Sequence, residues 1–126
     1  MSNSMRTPLG QVRGLGSAKE GVNHFIGQRV TAIALIFLVP WFLYSLIGAA
    51  RGGYEGATAW ISSPLNAILI LLATGAAFYH MRLGMQTVIE DYIAKSGTRQ
   101  LLLILNSFVV IALFAVAAFS VLKIAG

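Results

Sequence analysis

The stretch LNAILILLATGAAFYHMRLGMQTVIEDY, residues 65–92, decides the fold of this chain. It begins as an apolar run long enough to enter a lipid bilayer, and it then carries a histidine, an arginine and two adjacent carboxylates. As a single helix it would measure about 42 Å, so one end must emerge into the headgroup region. The segment predicts a membrane helix whose polar end reaches an interface.

Three runs of the chain contain no Lys, Arg, Asp or Glu: residues 30–50, 64–81 and 101–122. Each is close to the ~20 residues that an α-helix needs to cross about 30 Å of hydrocarbon. The whole sequence is 57% hydrophobic and 10% charged, whereas a soluble domain carries roughly 25% charged residues. Because backbone polar groups cannot stay unpaired in lipid, we expect the three runs to be helical.

The prediction is an all-α bundle of three transmembrane helices in one membrane domain. The N-terminal segment covers residues 1–28 and the membrane domain covers 29–126, with helices at about 29–50, 64–92 and 100–123.

The basic residues lie mainly on one side of the predicted bundle. Four precede the first span and two follow the second, namely Arg6, Arg13, Lys19, Arg29, Lys95 and Arg99. The loop between the first two spans has only Arg51, which Glu55 offsets. Since an excess of Lys and Arg marks the cytoplasmic side, the N-terminus and the second loop should be cytoplasmic. The charges are too scattered for a nucleic-acid interface.

The first apolar run begins only at Val30, so we expect neither a signal peptide nor an organellar presequence. The predicted location is the bacterial inner membrane, with several passes. The chain has no cysteine, which excludes disulfides and an iron–sulfur cluster held by this chain.

His80 lies in a stripe of small residues on the predicted second helix. The residues within about 60° of it on a helical wheel are Ala73, Ala76, Ala77, Gly84, Thr87 and Asp91. Such a stripe admits a neighbouring helix or a flat cofactor. Ionisable groups in membranes are costly and mark functional pathways, and imidazole is a usual axial ligand of haem. A neutral histidine that is hydrogen-bonded across a helix interface remains the alternative.

Asp91 and Tyr92 close the predicted helix, about 18 Å beyond His80 along the axis. Arg29 opens the first span, and we expect it at the same cytoplasmic level. The ordinary interpretations are a solvated helix end, an interfacial tyrosine and a positive-inside anchor. The functional interpretation is a set of polar groups around a buried ligand. Negative charge at a helix C-terminus is unfavourable, which suggests that Asp91 or Glu90 meets a cation from a partner.

Two other polar residues have predicted positions. Arg82 should point away from His80, where it either pairs with another subunit or extends to the headgroups. His24 should lie near the interface, at another depth than His80. Because trans nitrogens on one metal are roughly 4 Å apart, a six-coordinate iron at His80 would need its other ligand from another chain.

Three motifs of the sequence resemble the hydrophobic membrane-anchor subunit of succinate dehydrogenase, respiratory complex II. They are HMRLGM (80–85), DY (91–92) and, at the head of the first span, FIGQRVTAIAL (25–35). The resemblance implies that His80 is an axial ligand of haem b, with Gly84 one turn on. It also implies that Tyr92 hydrogen-bonds ubiquinone and that Asp91 supports this site. Arg29 would lie near both the quinone pocket and the haem propionates.

The resemblance implies three protein partners as well. A cytochrome b membrane subunit would pack against the bundle and supply the opposite haem ligand, and the flavoprotein and iron–sulfur subunits would be attached to the membrane. The complex would transfer electrons from succinate to ubiquinone, with no catalytic residue assigned to this chain. Glu90 and Arg82 depart from the family's pattern. A haem-free scaffold whose histidine packs helices is the alternative, and a transporter is disfavoured because no discontinuous helix pair is visible.

Overall fold

A computed structural model describes residues 7–9 and 18–126. Within residues 18–126 the chain forms four helices and no strand, namely α1 (Ala18–Ala50), α2 (Gly53–Ser62), α3 (Pro64–Tyr92) and α4 (Ser96–Ala125). Of the described part, α1 from Gly21 onward, α3 and α4 are long and apolar enough to cross a membrane. The predicted all-α fold with three spans is confirmed.

The helices differ in extent from the sequence-based bounds. Within the predicted N-terminal segment, residues 1–6 and 10–17 lie outside the described residues, and residues 18–28 belong to α1. From His24 onward α1 contacts α3, because His24 Nε2 lies 3.1 Å from the carbonyl oxygen of Leu83. Pro40 lies inside α1, which continues to Ala50.

The predicted loop between the first two spans contains α2. Gly53 turns the chain with a φ of +67°, in the left-handed region that favours glycine. A Cβ built at Gly56 would lie 2.6 Å from the carbonyl oxygen of Ala49. Because only glycine fits that close to the end of α1, α2 can fold back against the bundle.

The third helix is central, since α3 packs against both α1 and α4. We call the two ends of the bundle the Tyr92 end and the Trp60 end. At the Trp60 end, the ring of Trp60 lies 6.1 Å from that of Trp41 and 5.8 Å from that of Phe42. The hydroxyl oxygen of Ser62 lies 3.2 Å from the carbonyl oxygen of Ile124, which places α2 beside the end of α4, and its nearer acceptor is the carbonyl oxygen of Thr58 at 2.7 Å.

Most of the apolar surface of the outer helices is exposed. In the most apolar 18-residue stretch of α1 no residue is buried, and in the corresponding stretch of α4 only 6% of the residues are buried. Apolar surface on this scale is not stable in water and needs lipid or protein against it. The described bundle is therefore suited to a membrane, with α3 as its packed centre.

Candidate functional site

The candidate site forms where α1 crosses α3. His24, Gly27 and Thr31 follow one another at intervals of three and four residues, so they share one face of α1. A Cβ at Gly27 would lie 3.0 Å from Leu83 Cδ1 and 3.2 Å from the Tyr79 ring. Leu83 is only 4% exposed. The absence of a side chain at Gly27 therefore brings the two helices close together.

His80 projects from α3 into this crossing and is half-buried. Its Nδ1 atom lies 3.0 Å from Thr31 Oγ1, whereas no hydrogen bond joins its Nε2 atom to any described residue. One turn further along α3, a Cβ built at Gly84 would meet nothing within 4 Å. His80 therefore contacts α1, and the stripe of small residues is open at Gly84.

The second histidine of the chain, His24, serves a different contact. Its Nε2 atom lies 3.1 Å from the carbonyl oxygen of Leu83, so Nε2 carries the proton and donates. Seven residues separate His24 from Thr31, which corresponds to about 10 Å along α1. His24 is thus at another depth than His80, as predicted, and it cannot complete the coordination of a metal bound there.

Arg82 points away from His80, as the helical wheel predicts. Its Nε atom donates to Ser107 Oγ at 3.1 Å, and its carbonyl oxygen accepts from Asn106 Nδ2 at 3.0 Å. Both partners lie on α4. The guanidinium therefore has a hydrogen-bond acceptor in its own chain, in addition to the two alternatives that the sequence suggested.

The Tyr92 end presents polar side chains without partners in the described part of the chain. Tyr92 is 81% exposed, and neither it nor the exposed Asp91 makes a hydrogen bond or ion pair with a described residue. Glu90 accepts a hydrogen bond from Gln86 Nε2 at 3.0 Å. A cation that pairs with Asp91 or Glu90 thus remains a prediction for a partner chain.

Arg29 is exposed, and its Cζ atom lies 5.0 Å from the centroid of the Phe25 ring, which suits a cation–π contact. Its Cα is two residues before that of Thr31, about 3 Å along the axis of α1. The contact with Phe25, four residues earlier, directs the guanidinium toward the N-terminal end of α1. That Arg29 and Tyr92 share one level stays a prediction.

The described residues contain no cluster of three or more His, Cys, Asp or Glu side chains that could hold a metal ion. His80 Nε2, which has no hydrogen-bond partner among the described residues, is available as a single imidazole ligand.

The sequence matches known proteins along most of its length. A family model described as succinate dehydrogenase/fumarate reductase transmembrane subunit matches residues 3–119. A succinate dehydrogenase hydrophobic membrane anchor subunit from Rickettsia bellii is 37% identical over 123 residues, which cover 94% of this chain and 98% of the relative. The chain belongs to the family of succinate dehydrogenase membrane anchor subunits.

Two further anchor subunits show the same relation. The one from Rickettsia conorii is 32% identical with the same coverage. The one from Paracoccus denitrificans is 30% identical over 93% of this chain and 90% of the relative. The resemblance stated from the motifs is confirmed, and so is a multi-pass location in a bacterial membrane. The anchor subunit is part of an oxidoreductase complex.

Sequence reasoning missed the residues of this anchor subunit that support the site. Thr31 and Gly27 on α1, and Ser107 and Asn106 on α4, were not singled out. Thr31 offered a signal, since it is the first hydroxyl in an otherwise apolar run. Pairing it with His80 required the register between two helices, and one sequence does not contain that register.

Proposed function

We propose that this anchor subunit binds haem b through His80 and ubiquinone through Tyr92, and that it attaches the flavoprotein and iron–sulfur subunits to the membrane. The observation that carries the proposal is the state of the His80 ring. Its Nδ1 atom is hydrogen-bonded to Thr31, while Nε2, on this half-buried side chain, has no partner in the part of the chain that the structure describes.

The residues around His80 fit a haem. An axial ligand must offer one unprotonated ring nitrogen, and Nε2 is the nitrogen left available. The porphyrin needs open space beside the ligand, and Gly84 provides it one turn away. Arg29 is exposed and lies two residues before Thr31, which contacts His80, so its guanidinium is available to pair with a propionate. When bound, haem b would supply one-electron chemistry; His80 would be the ligand from this chain, and the cytochrome b subunit would supply another.

Tyr92 and Asp91 fit a quinone site at the end of α3. The phenol hydroxyl has no partner in the described chain, so it can donate a hydrogen bond to a quinone carbonyl oxygen. Reduction of the quinone adds two electrons and two protons, and negative charge develops on these oxygens. A donor already in position stabilises that charge. Asp91, the neighbouring exposed carboxylate, is placed to orient such a donor or to relay a proton. We assign Arg29 to both this quinone pocket and the haem propionates.

The length of α3 supports attachment of the water-soluble subunits. Its 29 residues correspond to about 44 Å, roughly 14 Å more than the hydrocarbon thickness. The Tyr92 end therefore extends past the membrane core and offers a surface to the iron–sulfur subunit. The exposed apolar faces of α1 and α4 remain for lipid and for the cytochrome b subunit.

One observation favours a second candidate function, an anchor subunit without haem. The hydrogen bond between Thr31 and His80 joins α1 to α3, and such a bond also serves a histidine whose role is helix packing.

The substitution His80→Ala separates the two functions. The purified complex should lose its b-type spectrum on reduction with dithionite, while the chain still inserts, because the three apolar runs are intact. His24→Ala is the matched control: it removes the other half-buried histidine and should keep the haem. A complex with His80→Ala that retains an unaltered b-type spectrum would establish the haem-free role for this chain.

A further inference from the structure

Thr31 is the only side chain among the described residues with a hydrogen bond to His80. Its hydroxyl oxygen lies 2.7 Å from the carbonyl oxygen of Gly27 and 3.2 Å from that of Gln28. It also lies 3.0 Å from His80 Nδ1. All three atoms are within hydrogen-bonding distance, but a hydroxyl carries one proton. The direction of each bond therefore follows from where this proton is.

The shortest contact identifies the acceptor. A carbonyl oxygen can only accept, and threonine in a helix commonly donates to the carbonyl four residues earlier, here Gly27. With its proton directed at Gly27, the oxygen of Thr31 faces Nδ1 with a lone pair. The contact with His80 is then a hydrogen bond only if Nδ1 carries the proton. Neutral imidazole has one N–H, so Nε2 is the unprotonated nitrogen.

We infer that Thr31 is a positioning residue that holds His80 in the Nδ1-protonated tautomer and directs the lone pair of Nε2 toward the haem iron. This inference rests on the proposed role of His80 as a haem ligand. Outer hydrogen bonds of this kind fix the tautomer and the ring orientation of a ligating histidine and raise its basicity. Thr31 would thus control how strongly His80 binds the haem iron, although Thr31 is not itself a ligand.

The position of Thr31 suits this role for two reasons. It is half-buried, so water competes weakly for Nδ1. Its backbone is also fixed near α3 by the close approach at Gly27. An exposed or flexible threonine would not constrain the ring. Loss of the hydroxyl should weaken the electron donation from imidazole, which favours the ferrous state and raises the midpoint potential of the haem.

The test compares three variants of the complete purified complex. Thr31→Val removes the hydroxyl at nearly constant shape, and Thr31→Ser keeps it. Thr74→Val is the matched control, because Thr74 Oγ1 makes the same contacts to its own helix, to Ile70 O at 2.9 Å and Leu71 O at 3.1 Å, without a histidine. Haem content, haem midpoint potential and the electron paramagnetic resonance spectrum of the oxidised haem are measured.

Thr31→Val should raise the midpoint potential and alter the resonance spectrum, with a haem affinity that falls by about 10- to 100-fold. Thr31→Ser should restore the wild-type values, and Thr74→Val should leave them unchanged. Unchanged potential, spectrum and affinity in Thr31→Val would overturn the inference. The ligand role would survive that result if His80→Ala still abolishes the haem, so the two proposals fail separately.

Discussion

The substitution Tyr92→Phe tests the proposed quinone donor with little disturbance of the protein. The ring is 81% exposed, and the hydroxyl has no hydrogen-bond partner in the described part of the chain. Removing one hydroxyl from an exposed side chain changes folding stability by no more than about 0.5 kcal/mol. Any larger effect must therefore come from a group outside the described part of this chain.

The size of that effect follows from the proposed contact. A hydrogen bond to an oxygen that becomes negative in the transition state is worth roughly 1 to 3 kcal/mol, and its loss slows the step by about 5- to 150-fold. A tyrosine that serves only as an interfacial anchor would lose almost nothing. The two roles differ by a measurable factor.

The assay compares two activities of one membrane preparation. Succinate oxidation with an artificial dye that accepts electrons before the quinone site should be retained in Tyr92→Phe, whereas quinone reduction should fall. Tyr54→Phe is the control: Tyr54 is 84% exposed and lies near the Trp60 end, so both activities should persist. Equal retention of dye-linked and quinone-linked activity in Tyr92→Phe would refute the donor role.

Two further predictions concern packing. Gly84→Leu should leave the fold of this chain intact, because a Cβ there meets nothing within 4 Å, but it should lower the haem content. Gly27→Leu should instead separate α1 from α3 and lower the thermal stability in detergent. Normal haem in the first variant, or normal stability in the second, would contradict this packing. Arg82→Met and Ser107→Ala should each destabilise the bundle. In a double-mutant cycle the coupling free energy between the two residues should be roughly 1 kcal/mol. Strictly additive effects would show that their hydrogen bond contributes nothing to stability.

The three spans could be predicted from the sequence because backbone polar groups in lipid must form hydrogen bonds within the protein. An uncharged run of about 20 residues in a membrane must be helical, so the composition alone determined the fold class. The short helix α2 could not be predicted in this way. Its sequence is rich in glycine, and its stability depends on how closely Gly56 approaches the end of α1, which is a tertiary contact.

The candidate site was predictable only within a single helix. The relation of His80 to Gly84 and Tyr92 follows from helical periodicity, and the wheel also placed Arg82 on the opposite face, where the structure has Ser107. The register between helices was not accessible. It depends on side-chain packing at Gly27 and Leu83, and it decided that Thr31 reaches His80.

The aromatic cluster at the Trp60 end gives the chain an intrinsic optical reporter. Trp41 and Trp60 are its two tryptophans, and their rings lie 6.1 Å apart. Because Asn66 on α3 donates to the carbonyl oxygen of Trp60 and precedes His80 by 14 residues, the fluorophores are about 20 Å from that histidine along the helix axis. Their emission therefore monitors the far end of the bundle, and a variant such as Thr31→Val can be checked for correct folding by fluorescence before its haem is measured.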